Sequence, residues 1–122
     1  MNKVLVVDDD RDILEVVSIL LRRNDFSVMT LSRGMHILGS IQSFSPDLIL
    51  LDVALAGEDG CEICNNLKKS SETNHIPIVL FSAHYDMVKD TKECLADAFI
   101  TKPFEIADLI LTIIKNIKTK AN

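Results

Sequence analysis

At 122 residues, with 48% apolar and 25% charged side chains, the chain has ordinary globular composition and enough length for one domain, residues 1–122, with a core of its own. A net charge of −5 carried on scattered residues excludes a direct nucleic-acid surface, and no apolar run reaches membrane-spanning length. Three cysteines beside an adequate core predict reduced thiols rather than a disulfide framework. The absence of a signal-like N-terminal pattern predicts a soluble cytoplasmic protein with no membrane contact.

Residues 4–7 are an unbroken apolar run that ends in Asp8, Asp9 and Asp10, the pattern of a strand buried on both faces. Ile13, Leu14, Val17, Leu20 and Leu21 recur at helical spacing over 11–23. Residues 26–31 are more mixed in polarity and suit an edge strand. A helix follows over 34–44 with Ile37, Leu38 and Ile41 inward, and Gly39 inside it costs roughly 1 kcal/mol relative to Ala. Ser45 and Pro46 break the chain. Leu48 to Leu51 then run without alternation into Asp52, the mark of a central parallel strand with an acid at its carboxyl end. Gly57 and Gly60 turn the chain, and Asp59 with Glu62 has capping-box spacing for a helix ending near Lys69.

After a polar loop over 70–75, residues 76–81 predict a buried strand ending at Ser82, with Pro77 near its start. A weakly apolar helix is expected over 86–95 and a short strand over 98–101 ending at Lys102 and Pro103. Residues 105–118 match the helical template throughout, with Ile106, Leu109, Ile110, Ile113, Ile114 and Ile117 on one stripe. Five strands alternating with five helices through short connections predict a doubly wound parallel α/β sheet.

In such a sheet the carboxyl ends of the strands share one rim. Asp8, Asp9, Asp52, Ser82 and Lys102 would meet there. Clustered carboxylates repel unless a cation joins them, and hard oxygen ligands at a partly open site favour Mg²⁺. Lys102 would add a second positive charge and Ser82 a hydroxyl donor. These are the parts needed to hold a phosphoryl group in line with an attacking carboxylate.

The stretches VLVVDDD, LILLDVALAGEDG, IVLFSA and ADAFITKPF, in that order, resemble the receiver domains of two-component response regulators, of the single-domain, chemotaxis-regulator-like kind. The resemblance spans essentially the whole chain. It implies a flavodoxin-like sheet of order 2-1-3-4-5 and phosphorylation of Asp52 by a phosphohistidine donor on a sensor histidine kinase or a histidine phosphotransfer protein. It also implies Mg²⁺ held by Asp9, Asp52 and the backbone carbonyl of Ala54, with Asp8 acting through water, and contacts from Ser82 and Lys102 to the phosphoryl oxygens. Lys102–Pro103 is implied to be a cis peptide, a form proline makes accessible. Ser82 and Phe99 would form a switch that changes the surface of the fourth helix, last strand and last helix for a downstream effector, with phosphorylation-dependent homodimerisation as an option. Such a protein is no enzyme beyond its own phosphoryl transfer and slow autodephosphorylation. It is either a stand-alone regulator or a domain of a longer chain. Ala56, Leu95 and Phe99 depart from the family's usual proline, glycine and tyrosine, and Ala54 and His84 occupy variable positions.

Three other readings compete. Asp8-Asp9-Asp10 fits the D-x-D signature of haloacid-dehalogenase-type phosphatases, but Asp12 stands where that motif wants Thr or Val and no late acidic pair follows. Cys61-x-x-Cys64 opens a helix as a thioredoxin-like motif would, but lacks the early strand placement, and ordinary buried thiols are favoured there. A pseudo-receiver used only for binding would have no need of the full acidic set with Ser82 and Lys102. His36 and His75 are expected to be solvated, with His84 near the rim.

Overall fold

Strands with apolar residues at every position need cover on both faces, and the chain supplies helices to both. The computed structural model describes residues 2–55, 57–82 and 94–121. Its elements are β1 (Lys3–Val7), α1 (Arg11–Arg23), β2 (Ser27–Leu31), a 3-10 turn (Gly34–His36) running into α2 (Ile37–Phe44), β3 (Leu48–Asp52), a small hairpin of β4 (Ala54–Leu55) and β5 (Glu58–Asp59), α3 (Gly60–Lys69), β6 (Ile78–Ser82), β7 (Ala98–Thr101) and α4 (Ile106–Ala121). The main sheet has five strands in the order β2-β1-β3-β6-β7, all paired in parallel. Counted among themselves those strands run 2-1-3-4-5, the flavodoxin-like order. The helix expected over 86–95 falls almost wholly outside the described residues, as do Ala56 and His84; residues 94 and 95 lie outside any helix.

Period-two alternation divides the core. Val4, Val6, Leu48, Leu50, Val79 and Phe81 face one way, against Leu14, Val17 and Leu21 of α1 and Leu109 and Ile113 of α4. Leu5, Val7, Ile49, Leu51, Ile78 and Leu80 face the other, against Ile37 of α2 and Cys64 and Leu67 of α3. β1, β3 and β6 are buried almost throughout, whereas β2 is only half-buried, as an edge strand should be. Among the described residues no helix is long and apolar enough to cross a membrane.

Local signals hold with small shifts. Asp10 caps α1 and Asp59 caps α3, each carboxylate accepting two first-turn N–H groups. Ser45 ends α2 in the left-handed region at φ 53°. Pro77 lies just before its strand, its carbonyl accepting the Ile49 N–H at 3.0 Å. Leu38, expected inward, is 61% exposed, because the 3-10 turn at Gly34–His36 rotates the start of α2 so that Ile37 alone is fully buried.

The cysteine expectation needs correction. Cys64 is a buried free thiol, but Cys61 and Cys94 are joined as a disulfide, with Cα atoms 5.6 Å apart. Residue 94, shortly before β7, lies beside the first turn of α3, 33 positions from Cys61 in sequence. Spacing alone does not reveal that approach. Two further attachments lie along the same side of α3. Asn65 accepts the Leu95 N–H at 2.8 Å, and Lys68 pairs with Asp97 at 2.6 Å. Asp97 in turn accepts the Ile78 N–H at 2.8 Å, at the amino end of β6.

Candidate functional site

The carboxyl rim of the sheet gathers its polar side chains through backbone geometry. The sheet extends one residue past β1, where the Asp8 N–H donates to the Leu31 carbonyl at 3.0 Å. Asp8 Oδ1 then accepts the Asp10 N–H at 2.9 Å, a tight acidic turn that leaves Asp8 fully buried, Asp9 exposed and Asp10 aimed back at α1. Asp52 closes β3, 5% exposed, with Oδ1 accepting the Ala54 N–H at 3.2 Å. Ser82 closes β6 and is buried. Lys102 follows β7, its N–H donating to the Ser82 carbonyl at 2.7 Å, and the Lys102–Pro103 peptide is cis.

α3 begins directly beneath Asp52. The Gly60 N–H donates to the Val53 carbonyl at 2.8 Å, and a Cβ on Gly60 would strike the Asp52 carbonyl oxygen and lie 2.8 Å from Val53 Cα. Only glycine admits that approach.

One carboxylate oxygen from each of Asp8, Asp9 and Asp52 lies within 4.8 Å of the others. The Lys102 ammonium reaches Asp8 Oδ2 at 2.9 Å and Asp52 Oδ2 at 3.4 Å, and sits 4.4 Å from the Phe81 ring centroid. Burial pushes the Asp8 carboxyl above its usual range and the Asp52 charge pushes it further. The Asp10 N–H and Lys102 offset part of that rise. Three acids with one shared ammonium leave the cluster short of positive charge, and an all-oxygen donor set fits a hard divalent cation such as Mg²⁺.

Asp8, Asp9, Asp52 and Lys102 therefore converge as side chains, and Ser82 adjoins them through the Lys102 backbone. Phe99 lies lower on β7, opposite Leu80, and the residue is 42% exposed. Ala54 is exposed and bound to Asp52 through its N–H. His36 and His75 are exposed and away from the acids. Sequence reasoning did not single out Arg11, Arg33 or Glu58, which line a cleft of about 560 Å³ with Asp9. Glu58 Oε1 accepts the Gly34 N–H at 3.0 Å and so ties the hairpin after Asp52 to the start of the 3-10 turn. No local pattern announces that contact, because it spans 24 positions.

The model of the response regulator receiver domain matches residues 4–114. The DNA-binding response regulator MtrA of Mycobacterium tuberculosis is 34% identical over 114 residues, which are 92% of this chain and 49% of that protein. The heme response regulator HssR of Staphylococcus epidermidis is 32% identical over 116 residues, 93% of this chain and 50% of that protein. This chain thus spans about half the length of these curated relatives. Among solved structures, response regulator protein TrrA of Thermotoga maritima, in complex with Mg²⁺-BeF, superposes with a TM-score of 0.85 at 27% identity, covering 94% of this chain and 98% of that one. Chemotaxis protein CheY4 of Vibrio cholerae gives 0.85 at 27% identity, covering 95% and 98%. With the sheet order, the acidic rim and this match in hand, the chain belongs to the response regulator receiver domain family.

Proposed function

We propose that Asp52 is the phosphoacceptor of a two-component or phosphorelay switch. The observation that carries this is the pairing of Asp52 and the buried Asp8 with one ammonium, Lys102, at a rim where Asp9 adds a third carboxylate. An Asp52 carboxylate oxygen attacks the phosphorus of a phosphohistidine, the N–P bond breaks, and an acyl phosphate forms on Asp52. Lys102 then exchanges carboxylate contacts for a phosphoryl oxygen. The Ser82 hydroxyl donates to another. Asp9, Asp52 and the Ala54 carbonyl would hold Mg²⁺, with Asp8 acting through water, and the ion would supply positive charge to offset that of the phosphoryl group. The likeness to TrrA, solved in complex with Mg²⁺-BeF, supports that assignment.

In this mechanism Ser82, drawn toward the phosphoryl group, vacates space that the half-exposed Phe99 ring fills. The surface of the last strand and the last helix then changes for an effector, with homodimerisation on the same face as an option. A sensor histidine kinase or histidine phosphotransfer protein supplies the phosphoryl group in the cytoplasm. The net charge of −5 favours protein partners over direct nucleic-acid contact. The unit acting is the one domain of residues 1–122, and no chemistry beyond its own phosphorylation and slow dephosphorylation is assigned to it.

The test is intact mass after incubation with acetyl phosphate and Mg²⁺, beside Asp52→Asn and an EDTA control. A metal-dependent gain of one phosphoryl group, lost in the variant, is expected. A folded protein that gains none would overturn the assignment and leave a pseudo-receiver, a binding surface without the chemistry.

A further inference from the structure

Three positions on one side of α3 hold residues 94–97, and the three attachments differ in kind. Asn65 and Lys68 act through a hydrogen bond and an ion pair, at 2.8 and 2.6 Å. Cys61, one turn earlier, reaches Cys94 with a Cα separation of 5.6 Å, inside the range that permits a disulfide without backbone movement. The third thiol is poorly placed to compete. Cys64 is wholly buried, and burial pushes its thiol up to about 11, so it holds little thiolate near neutral pH. The core needs no covalent staple, since two buried clusters already cover both faces of the sheet. A cross-link here is therefore free to open and close while the fold persists.

We propose that Cys61 and Cys94 form a reversible redox pair, a modification site that takes low-molecular-weight disulfides as oxidant and, when closed, tightens residues 94–97 against α3. Cys94 is half-buried while Cys61 is 7% exposed, so Cys94 is the attacking thiol. Its thiolate attacks one sulfur of a small disulfide such as oxidised glutathione, and that S–S bond breaks. One glutathione leaves as a thiolate and takes up a proton. Cys61, having lost its own proton, displaces the second glutathione from the mixed disulfide. Two protein thiols are thereby oxidised to one disulfide and one glutathione disulfide is reduced to two thiols. The link lies between the turn that follows Asp52 and the strand that delivers Lys102.

The test uses the whole chain equilibrated in glutathione buffers from reducing to oxidising, then unfolded and alkylated. Three alkylated cysteines are expected in reducing buffer and one in oxidising buffer, with a 61–94 linked peptide after digestion. Cys94→Ser is expected to keep two alkylated cysteines in both. Amide exchange at residues 95–97 is expected to slow about threefold or more on oxidation, with the Cys94→Ser protein unchanged. Three free thiols in a folded protein under oxidising conditions, or a 61–64 linkage, would overturn the pairing. Equal exchange in the two forms would overturn the tightening.

Discussion

Lys102 and Asp8, 94 positions apart in sequence, meet at 2.9 Å, and the same ammonium lies 3.4 Å from Asp52. Asp8 is fully buried and the Lys102 side chain is 14% exposed. The pair thus joins β1 to the end of β7 across the width of the site. Lys102→Met removes the shared cation and leaves both acids without it. The expected result is a loss of roughly 2 kcal/mol in metal-free urea unfolding, smaller when Mg²⁺ is present. Acetyl phosphate labelling of Asp52 is expected to slow about 100-fold, the scale of one lost transition-state donor.

Asp8 gives the opposite sign. Its folded-state pKa is raised, chiefly by burial, so the native protein binds this proton more readily than the unfolded chain does. Ionised Asp8 therefore lowers stability above its folded pKa, and that penalty is relieved as pH falls through the folded pKa toward the unfolded value. Asp8→Asn should raise the urea midpoint at pH 7 in metal-free buffer, with the advantage shrinking as the buffer is acidified. Added Mg²⁺ should stabilise the wild type more than the variant. A variant less stable than wild type at pH 7 would contradict this account.

Gly60 is expected to tolerate no side chain. A Cβ there meets backbone rather than a flexible side chain, at the Asp52 carbonyl and at Val53 Cα. Gly60→Ala should cost about 2 kcal/mol or more, since neither strand nor helix can yield easily. It should also slow Asp52 labelling, because Asp52 must shift; thermal unfolding and labelling rates check both.

Gly39 is the counter-case. It lies inside α2, and a methyl group added there would have nothing within 4 Å. Gly39→Ala should raise stability by about 0.5–1 kcal/mol through helix propensity, with labelling of Asp52 unchanged.

How much of this was legible in the residues depends on range. The unbroken runs at Val4–Val7 and Leu48–Leu51 declared strands covered on both faces, and the acids after them declared where those strands end. Both follow from local pattern, as does the Asp59 cap. Asp10 was grouped with its acidic neighbours, although its carboxylate serves α1. Leu38 misled because hydrophobic spacing assumes one helix type and Gly34–His36 forms another. Thr73, in a loop expected to be polar, is buried with its hydroxyl donating to the Leu67 carbonyl at 2.6 Å. Cys61 with Cys94 and Glu58 with Gly34 are meetings set by the packing of separate elements, and neither leaves a local trace.

The clamp formed by Lys68, Asp97 and the Ile78 N–H has a mechanical meaning. It fastens the amino ends of β6 and β7 together, while Ser82 and Lys102 lie at their opposite ends. The ladder runs on from there through Leu80–Phe99 and Phe81–Ile100 to Ser82–Thr101, so a pull at the Ser82 and Lys102 end acts on the two strands together, with the clamp as their pivot. Phe99, two residues past Asp97, stands near that pivot. In the switch proposed above, a small shift of the backbone at Thr101 and Lys102 would then leave the backbone beside Phe99 nearly in place.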